Sequence, residues 1–272
     1  CIMLLPTYLD LSTHGEKFSS FTEWFTDSSW FFDLFAKNFV GAYDTTKFGS
    51  IPMIYVGIFP LILAIIFFTI KSIKWQTRVA YGLMLLLIIA SFYLEPLDLM
   101  WQGMHSPNMF LHRYSWTFSI LVILLAAETL SHLKELETRH YLTGLIPLAV
   151  GFLASAVLKN HYDFLETPQI VITFSFLIAY AIILLSHAKQ YLTFNFVVGF
   201  TLIFTLFEIS LNTYYQINAL NNEWVFPSRQ SYAHDLTDIE KLVQNTKELN
   251  TTFYRTEELL PQTGNDSMKY NY

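Results

Sequence analysis

The chain is 272 residues long, 53% hydrophobic and 14% charged, with a mean hydropathy of +0.37, whereas a soluble domain carries about 25% charged residues. The apolar content excludes disorder, the single Cys excludes a disulfide scaffold, and 16 Lys+Arg against 22 Asp+Glu (net −6) argue against a nucleic-acid partner. What remains is a polytopic membrane protein. The chain opens on Cys1 rather than Met and stops at Tyr272, so we expect an internal fragment of something longer.

The opening Cys1-Ile2-Met3-Leu4-Leu5-Pro6 is too short to span a bilayer. It reads as the outer end of a helix, with a lipid-modified Cys1 as the alternative. Residues 10–50 mix Phe18, Phe21, Trp24, Phe25, Trp30, Phe31, Phe32, Phe35 and Phe39 with Asp10, Glu16, Glu23, Asp27, Asp33 and Asp44. Phe31, Phe35 and Phe39 recur every four residues behind Ser28 or Ser29 as N-cap, which predicts a helix lying along the outer membrane interface. That helix is either an anchoring aromatic belt or one wall of a cleft for a lipid-linked substrate.

Six apolar stretches follow, at 51–70, 79–93, 114–130, 142–158, 170–185 and 193–211. Each is near the length needed to cross a bilayer, and none shows the polar face of a soluble helix. Lys71, Lys74, Arg78, Lys134, Arg139 and Lys189 fall after the odd-numbered stretches, against Arg113 and Lys159 after the second and fourth. This bias predicts the odd-numbered loops in the cytoplasm. Residues 1–50, the loop 94–113 and the tail from 216 then lie outside, on a multi-pass protein of the cell membrane.

Two polar concentrations stand out. The loop 94–113 gathers Glu95, Asp98, Trp101, His105, Asn108, His112 and Arg113 between Pro and Gly breaks. Irregular backbone at this depth survives only where protein or water covers it. His112 and Arg113 suit a lipid phosphate, or else Arg113 and Tyr114 are interface anchors. On the sixth stretch, Thr201, Thr205, Glu208, Asn212 and Tyr215 share one helical face. A carboxylate inside a span is a functional-site hypothesis; the alternative is an interhelical hydrogen bond, with Glu208 protonated or paired with Arg113 or Tyr215. HExxH, CxxC, GxSxG and P-loop patterns are absent, and the eight His form no metal-ligand pair at helical spacing.

The tail 216–272 is charged. Leu236, Ile239, Leu242, Val243 and Leu249 predict a helix over 235–249, and 251–255 reads as a strand. The expected fold is therefore an all-α polytopic membrane protein of about six transmembrane helices, with an outer interfacial helix and the start of an external α/β or α+β domain. Its parts are 1–50, 51–215 and 216–272.

Several blocks resemble the YfhO family of bacterial membrane proteins. They are Leu4-Leu5-Pro6-Thr7, Gly41-Ala42-Tyr43-Asp44, Ile54-Tyr55-Val56-Gly57-Ile58-Phe59-Pro60-Leu61, Trp101-Gln102-Gly103-Met104-His105-Ser106-Pro107-Asn108, His112-Arg113-Tyr114-Ser115-Trp116, Phe253-Tyr254-Arg255 and Asn265-Asp266-Ser267. The resemblance implies a protein similar to C-type glycosyltransferases, which take a sugar from a polyprenyl-phosphate carrier at the outer face. The implied partners are membrane lipid, that sugar donor and a cell-surface polymer acceptor such as lipoteichoic acid, with no nucleic acid.

It also implies that the catalytic carboxylate lies before this fragment. His112, Arg113, His105 and Asp44 would be supporting substrate-binding groups, with Glu208 added from its place in the sixth stretch. No cofactor is expected in the fragment, and the resemblance leaves room for a divalent metal in the full-length protein. A transporter or flippase of a lipid-linked or cell-envelope substrate, and a non-catalytic membrane scaffold, are the alternatives.

Overall fold

Long apolar runs can satisfy their backbone in lipid only as helices or closed barrels, and here they fold as helices. A computed structural model of the chain describes residues 23–26, 30–223, 236–249 and 252. The helices are α1 (Asp33–Ala36), α2 (Ile58–Phe67), α3 (Trp75–Tyr93), α4 (Glu95–Trp101), α5 (Trp116–Ser131), α6 (Thr138–Val157), α7 (Thr167–Ala188), α8 (Phe194–Glu223) and α9 (Leu236–Leu249). Among the described residues no strand forms, apart from an isolated bridge between Phe25 and Leu94. Five helices are long and apolar enough to cross a membrane: α3, α5 with its leading turn (Arg113–Ser131), α6, α7 and α8. Their outward faces carry rows of exposed Leu, Ile and Val, such as Leu83 and Leu86 on α3 and Ile146, Val150 and Leu153 on α6. A face of that kind is stable against lipid, not water.

The first apolar stretch departs from expectation. Residues 51–70 do not form one spanning helix: α2 has ten residues, or about 15 Å of rise. It starts only after Gly57, whose φ of +92° breaks the ladder. Pro60 sits in the first turn, where its missing N–H costs nothing. Hydropathy alone could not separate the extended lead-in from the helix, because both are apolar.

α2 is buried on all sides, at Ile58, Leu61, Ile62, Leu63, Ala64, Ile66 and Phe67, and α5, α6 and α7 pack around it. Gly144 on α6 makes this approach close. A Cβ there would lie 2.7 Å from the Ile62 carbonyl oxygen and 2.9 Å from Ile66 Cγ1. Gly144→Ala is expected to cost about 1–3 kcal/mol by overpacking. The measurement is thermal unfolding of the detergent-solubilised protein. Gly199→Ala on α8, where a Cβ meets open space, should leave stability unchanged or raise it.

The lead-in to α2 is a non-helical strap held by side chains from α7 and α8. Val40 N donates to Thr173 Oγ1 at 2.9 Å and Gly41 N to Asn212 Oδ1 at 2.8 Å. Gln169 Nε2 donates to Gly41 O at 2.9 Å, and Gln216 Nε2 to Ala42 O at 3.0 Å. Gly41 has φ +80°, and a Cβ on it would lie 2.7 Å from Tyr215 Cγ. Irregular backbone is thus sheltered and bonded inside protein, as a bilayer requires.

The predicted interfacial helix is also corrected. Only four residues, Asp33–Ala36, are helical, and Phe39 is fully buried with its ring 4.9 Å from that of Phe152. The spacing of Phe31, Phe35 and Phe39 is helical, but Lys37 and Asn38 are buried and Gly41 turns the chain inward. The segment packs onto the end of α6; of the three rings, Phe31 alone is largely exposed. Ser28, Ser29, the Cys1–Pro6 run and residues 10–22 lie outside the described residues.

The chain divides into two compact units, Cys1–Leu220 and Asn221–Tyr272. In the second, the described secondary structure beyond the end of α8 is α9, with Leu236, Ile239 and Val243 half-buried and Leu249 exposed. Except for Thr252, the strand expected at 251–255 lies outside the described residues.

Candidate functional site at the loop end of the bundle

Helices that alternate in direction bring the start of α2, the end of α3, the start of α5 and the end of α6 to one end of the bundle. The loop 94–113 folds there. Leu94 is extended, Pro96 sits in the first turn of α4, and α4 stops at Trp101. Beyond it Gly103, Met104, Met109, Phe110 and His112 all take positive φ, between 49° and 67°. Four of these are not glycine, a costly arrangement that the surroundings must hold in place.

Arg113 supplies part of that hold. Its Nε donates to Phe110 O at 3.2 Å, and its Nη2 lies 3.4 Å from Asn108 O and 3.5 Å from Met109 O. The guanidinium clasps carbonyls that the left-handed turn leaves without helical partners. Phe110 N in turn donates to Thr46 O at 2.7 Å.

Asp98 is the hub of the loop. Its Oδ1 lies 2.9 Å from His112 Nδ1 and accepts from Tyr114 Oη at 2.9 Å, while Oδ2 accepts from Gln102 Nε2 at 2.7 Å. A carboxylate facing Nδ1 places the proton on that nitrogen, which orients the ring. His112 is buried, with 2% exposure. Behind the pair, Tyr114 stacks on Trp101 at 5.1 Å and on Phe92 at 5.6 Å, and Trp101 Nε1 donates to Ser91 Oγ at 3.0 Å.

A cleft of about 510 Å³ opens beside this network, lined by Glu23, Phe25, Phe48, Glu95, Asp98 and His112, among others. Both Asp98 oxygens are committed. The Glu95 carboxylate, one turn earlier on α4, accepts no hydrogen bond among the described residues. No three His, Cys, Asp or Glu side chains gather as a metal site among the described residues.

The five candidate residues are therefore dispersed. His112 lines the cleft; Arg113 follows it but is turned onto loop carbonyls; His105 is half-buried in the same loop and does not line the cleft. Asp44 accepts from Lys37 Nζ at 2.5 Å and from Ile51 N at 2.7 Å. Lys37 is 3% exposed, and burial pushes its ammonium below the usual lysine range, opposed by the charges of Asp44 and Asp33. Asp33 nearby accepts from Trp30 N and from Tyr162 Oη at 2.9 Å, and burial raises its carboxyl above the ordinary value.

Glu208, with 1% exposure, lies inside the bundle. Its Oε1 accepts from Tyr55 Oη at 2.7 Å and from Ile58 N at 2.8 Å, and its Oε2 accepts from Tyr180 Oη at 2.6 Å. It caps the first turn of α2 from α8, and its partners are neither Arg113 nor Tyr215.

Glu95, Asp98 and Glu23 were not singled out by sequence as site residues. The available signal was Glu95-Pro96-x-Asp98, two acids in the first turn of a Pro-started helix beside a loop rich in His.

The blocks that carry the family resemblance coincide with these features: 101–108 and 112–116 form the cleft loop and its exit, and 54–61 runs from the strap into α2. No curated protein and no solved structure matches the chain. The family model for bacterial membrane protein YfhO matches residues 1–272, and the chain belongs to that family.

Proposed function

We propose that this chain is part of a membrane glycosyltransferase that moves a sugar from a polyprenyl-phosphate carrier to a cell-surface polymer, such as lipoteichoic acid, at the outer face. Counting α2 with its lead-in as a short first crossing gives six. The excess of basic residues at the other end supports a cleft on the outside; on this reading residues 1–50 and the tail are external and the tail opens an α/β or α+β domain.

The observation that carries this reading is the cleft: about 510 Å³ at a bundle end, combining acids with the Phe25 and Phe48 rings. Carboxylates bind sugar hydroxyls by charge-assisted hydrogen bonds, and aromatic rings cover the apolar faces of sugars. A polyprenyl chain can remain in lipid while its head enters such a cleft.

In the transfer, an acceptor hydroxyl oxygen bonds to the anomeric carbon, the carbon–phosphate oxygen bond breaks, and the phosphate leaves with the electron pair. The hydroxyl proton passes to a base. Glu95, whose oxygens accept no hydrogen bond among the described residues, holds sugar hydroxyls; Asp98 is a positioning residue that fixes His112 at the cleft wall. A transporter would be expected to present a polar site within the bundle, but the carboxylate there, Glu208, is engaged by three donors.

The test is transfer of radiolabel from polyprenyl-phosphate sugars to polymer by the intact protein in vesicles. Glu95→Gln should lower transfer about 10–100-fold, the worth of one charge-assisted bond, with thermal stability unchanged. Undiminished transfer would remove Glu95 from the site, and no transfer by the wild type from any polyprenyl-phosphate sugar would refute the activity.

A further inference from the structure

At the end of the bundle opposite the cleft, a second recess has a different chemistry. It is a groove of about 460 Å³ on the outward side of α3 where α2 ends, lined by Phe68, Trp75, Arg78, Gly82, Leu83 and Leu86, with Val79 between. We propose that it binds one anionic glycerophospholipid, the phosphate at Arg78 and an acyl chain along Gly82 and Leu86. This inference is independent of the sugar-transfer reading.

Arg78 is the basis for the phosphate. Its Nη1 donates to Phe68 O at 3.0 Å, closing the α2–α3 turn, while its Nε is screened from solvent without a hydrogen-bond partner among the described residues. No carboxylate pairs with it among the described residues. The uncommitted Nε–Nη2 edge is the one that meets a phosphate or carboxylate through two parallel hydrogen bonds. An orphaned donor on a permanent cation, set in an apolar groove, calls for an anion.

The surroundings fit a phosphate that belongs to a lipid. Lys74 is the residue that opens α3, four before Arg78, and Lys71 lies in the preceding turn; both are exposed, without an ion-pair partner among the described residues. Glu135 reaches this turn through Ser72 Oγ at 2.5 Å and does not line the groove. Trp75, largely exposed, has the place of an interfacial anchor.

From the basic end the groove runs toward the bilayer centre over Gly82, where a Cβ would stand 3.5 Å from Phe68 Cε1, and past exposed Leu83 and Leu86. That is a track for a hydrocarbon chain. Charge above and alkane below is the chemistry of an anionic glycerophospholipid; the choline of a zwitterionic lipid would face the two lysines.

Trp75 provides the probe. The intact detergent-solubilised protein is titrated with dibrominated phosphatidylglycerol or dibrominated phosphatidylcholine, and the quenching lost in Trp75→Phe is read. Phosphatidylglycerol should be preferred about fivefold or more, the effect of one basic residue at an anionic surface. The preference should disappear in Arg78→Gln, and Gly82→Leu should weaken quenching by both lipids. Because Arg78 also holds the end of α2, Lys71→Gln/Lys74→Gln, at two exposed positions, is the fold-preserving variant and should lower the preference. Equal quenching by the two lipids in the wild type overturns the proposal. So does a preference unchanged in both the Arg78 and the double-lysine variants.

Discussion

Glu208→Ala should lower the stability of the solubilised protein by about 3–9 kcal/mol, as three buried donors lose their acceptor at ~1–3 kcal/mol each. Those donors are Tyr55 Oη, Ile58 N and Tyr180 Oη, at 2.6–2.8 Å. Ile58 N belongs to the first turn of α2, where no helical carbonyl is available, so nothing nearby replaces the carboxylate. Glu208→Gln keeps one oxygen and should cost less; Tyr180→Phe removes one donor to Glu208 and a longer bond with Thr205 Oγ1 and should cost about 1–2 kcal/mol. Thermal unfolding in detergent ranks the three variants. A Glu208→Ala loss no larger than that of Tyr180→Phe would contradict the clamp.

Asp44→Asn should cost about 3–5 kcal/mol at neutral pH, because it strands the buried Lys37 ammonium. Asn can still accept from Ile51 N, so the loss reports the ion pair rather than the turn. Lys37→Met in the same chain should recover most of it, since a well-packed apolar pair can replace a buried ion pair. The pH dependence has a definite sign. Burial already holds Lys37 below the ordinary lysine value and the Asp44 charge opposes that; without Asp44, Lys37 falls further. Between its lowered folded value and about 10.4 the unfolded chain then binds more protons than the folded one. The variant's stability should therefore rise with pH across that window. Melting temperatures at pH 7 and pH 9 test this, and a variant whose deficit stays constant would refute it.

Spans nearly free of charge identified α3 and α5–α8, because in lipid apolarity and helicity are nearly the same statement. The same logic failed at 51–70. The lead-in 51–57 is as apolar as a helix, but its ends are held by Asp44, which accepts from Ile51 N, and by Glu208, which accepts from Ile58 N and lies 150 residues away in sequence; just before it, residues 40–42 are held by Thr173, Gln169, Asn212 and Gln216. The stripe from Thr201 to Tyr215 was legible as an inward face from spacing alone. That Glu208 and Asn212 in it are engaged by Ile58 N and Gly41 N depends on contacts 150 or more residues apart.

In the loop 94–113 the residue types marked a polar site, yet not their division of labour. Asp98 is tied up because Tyr114 and Gln102 converge on it, while the Glu95 carboxylate accepts no hydrogen bond among the described residues. Arg113 suited a phosphate by chemistry and is spent on carbonyls exposed by left-handed residues that a sequence does not announce.

The strap also orders events in time. Its anchors in α7 and α8 emerge from the ribosome up to 174 residues after it does. At ~5–20 residues per second, that is roughly ten to thirty seconds of synthesis. Until then the N–H groups of Val40 and Gly41 and the carbonyls of Gly41 and Ala42 lack their partners. The segment earliest in the described chain to enter the bundle is thus among the last to settle. A polypeptide interrupted before Thr173 would hold α2 between α5 and α6 but would leave the strap before it without the α7 and α8 side chains that fix it.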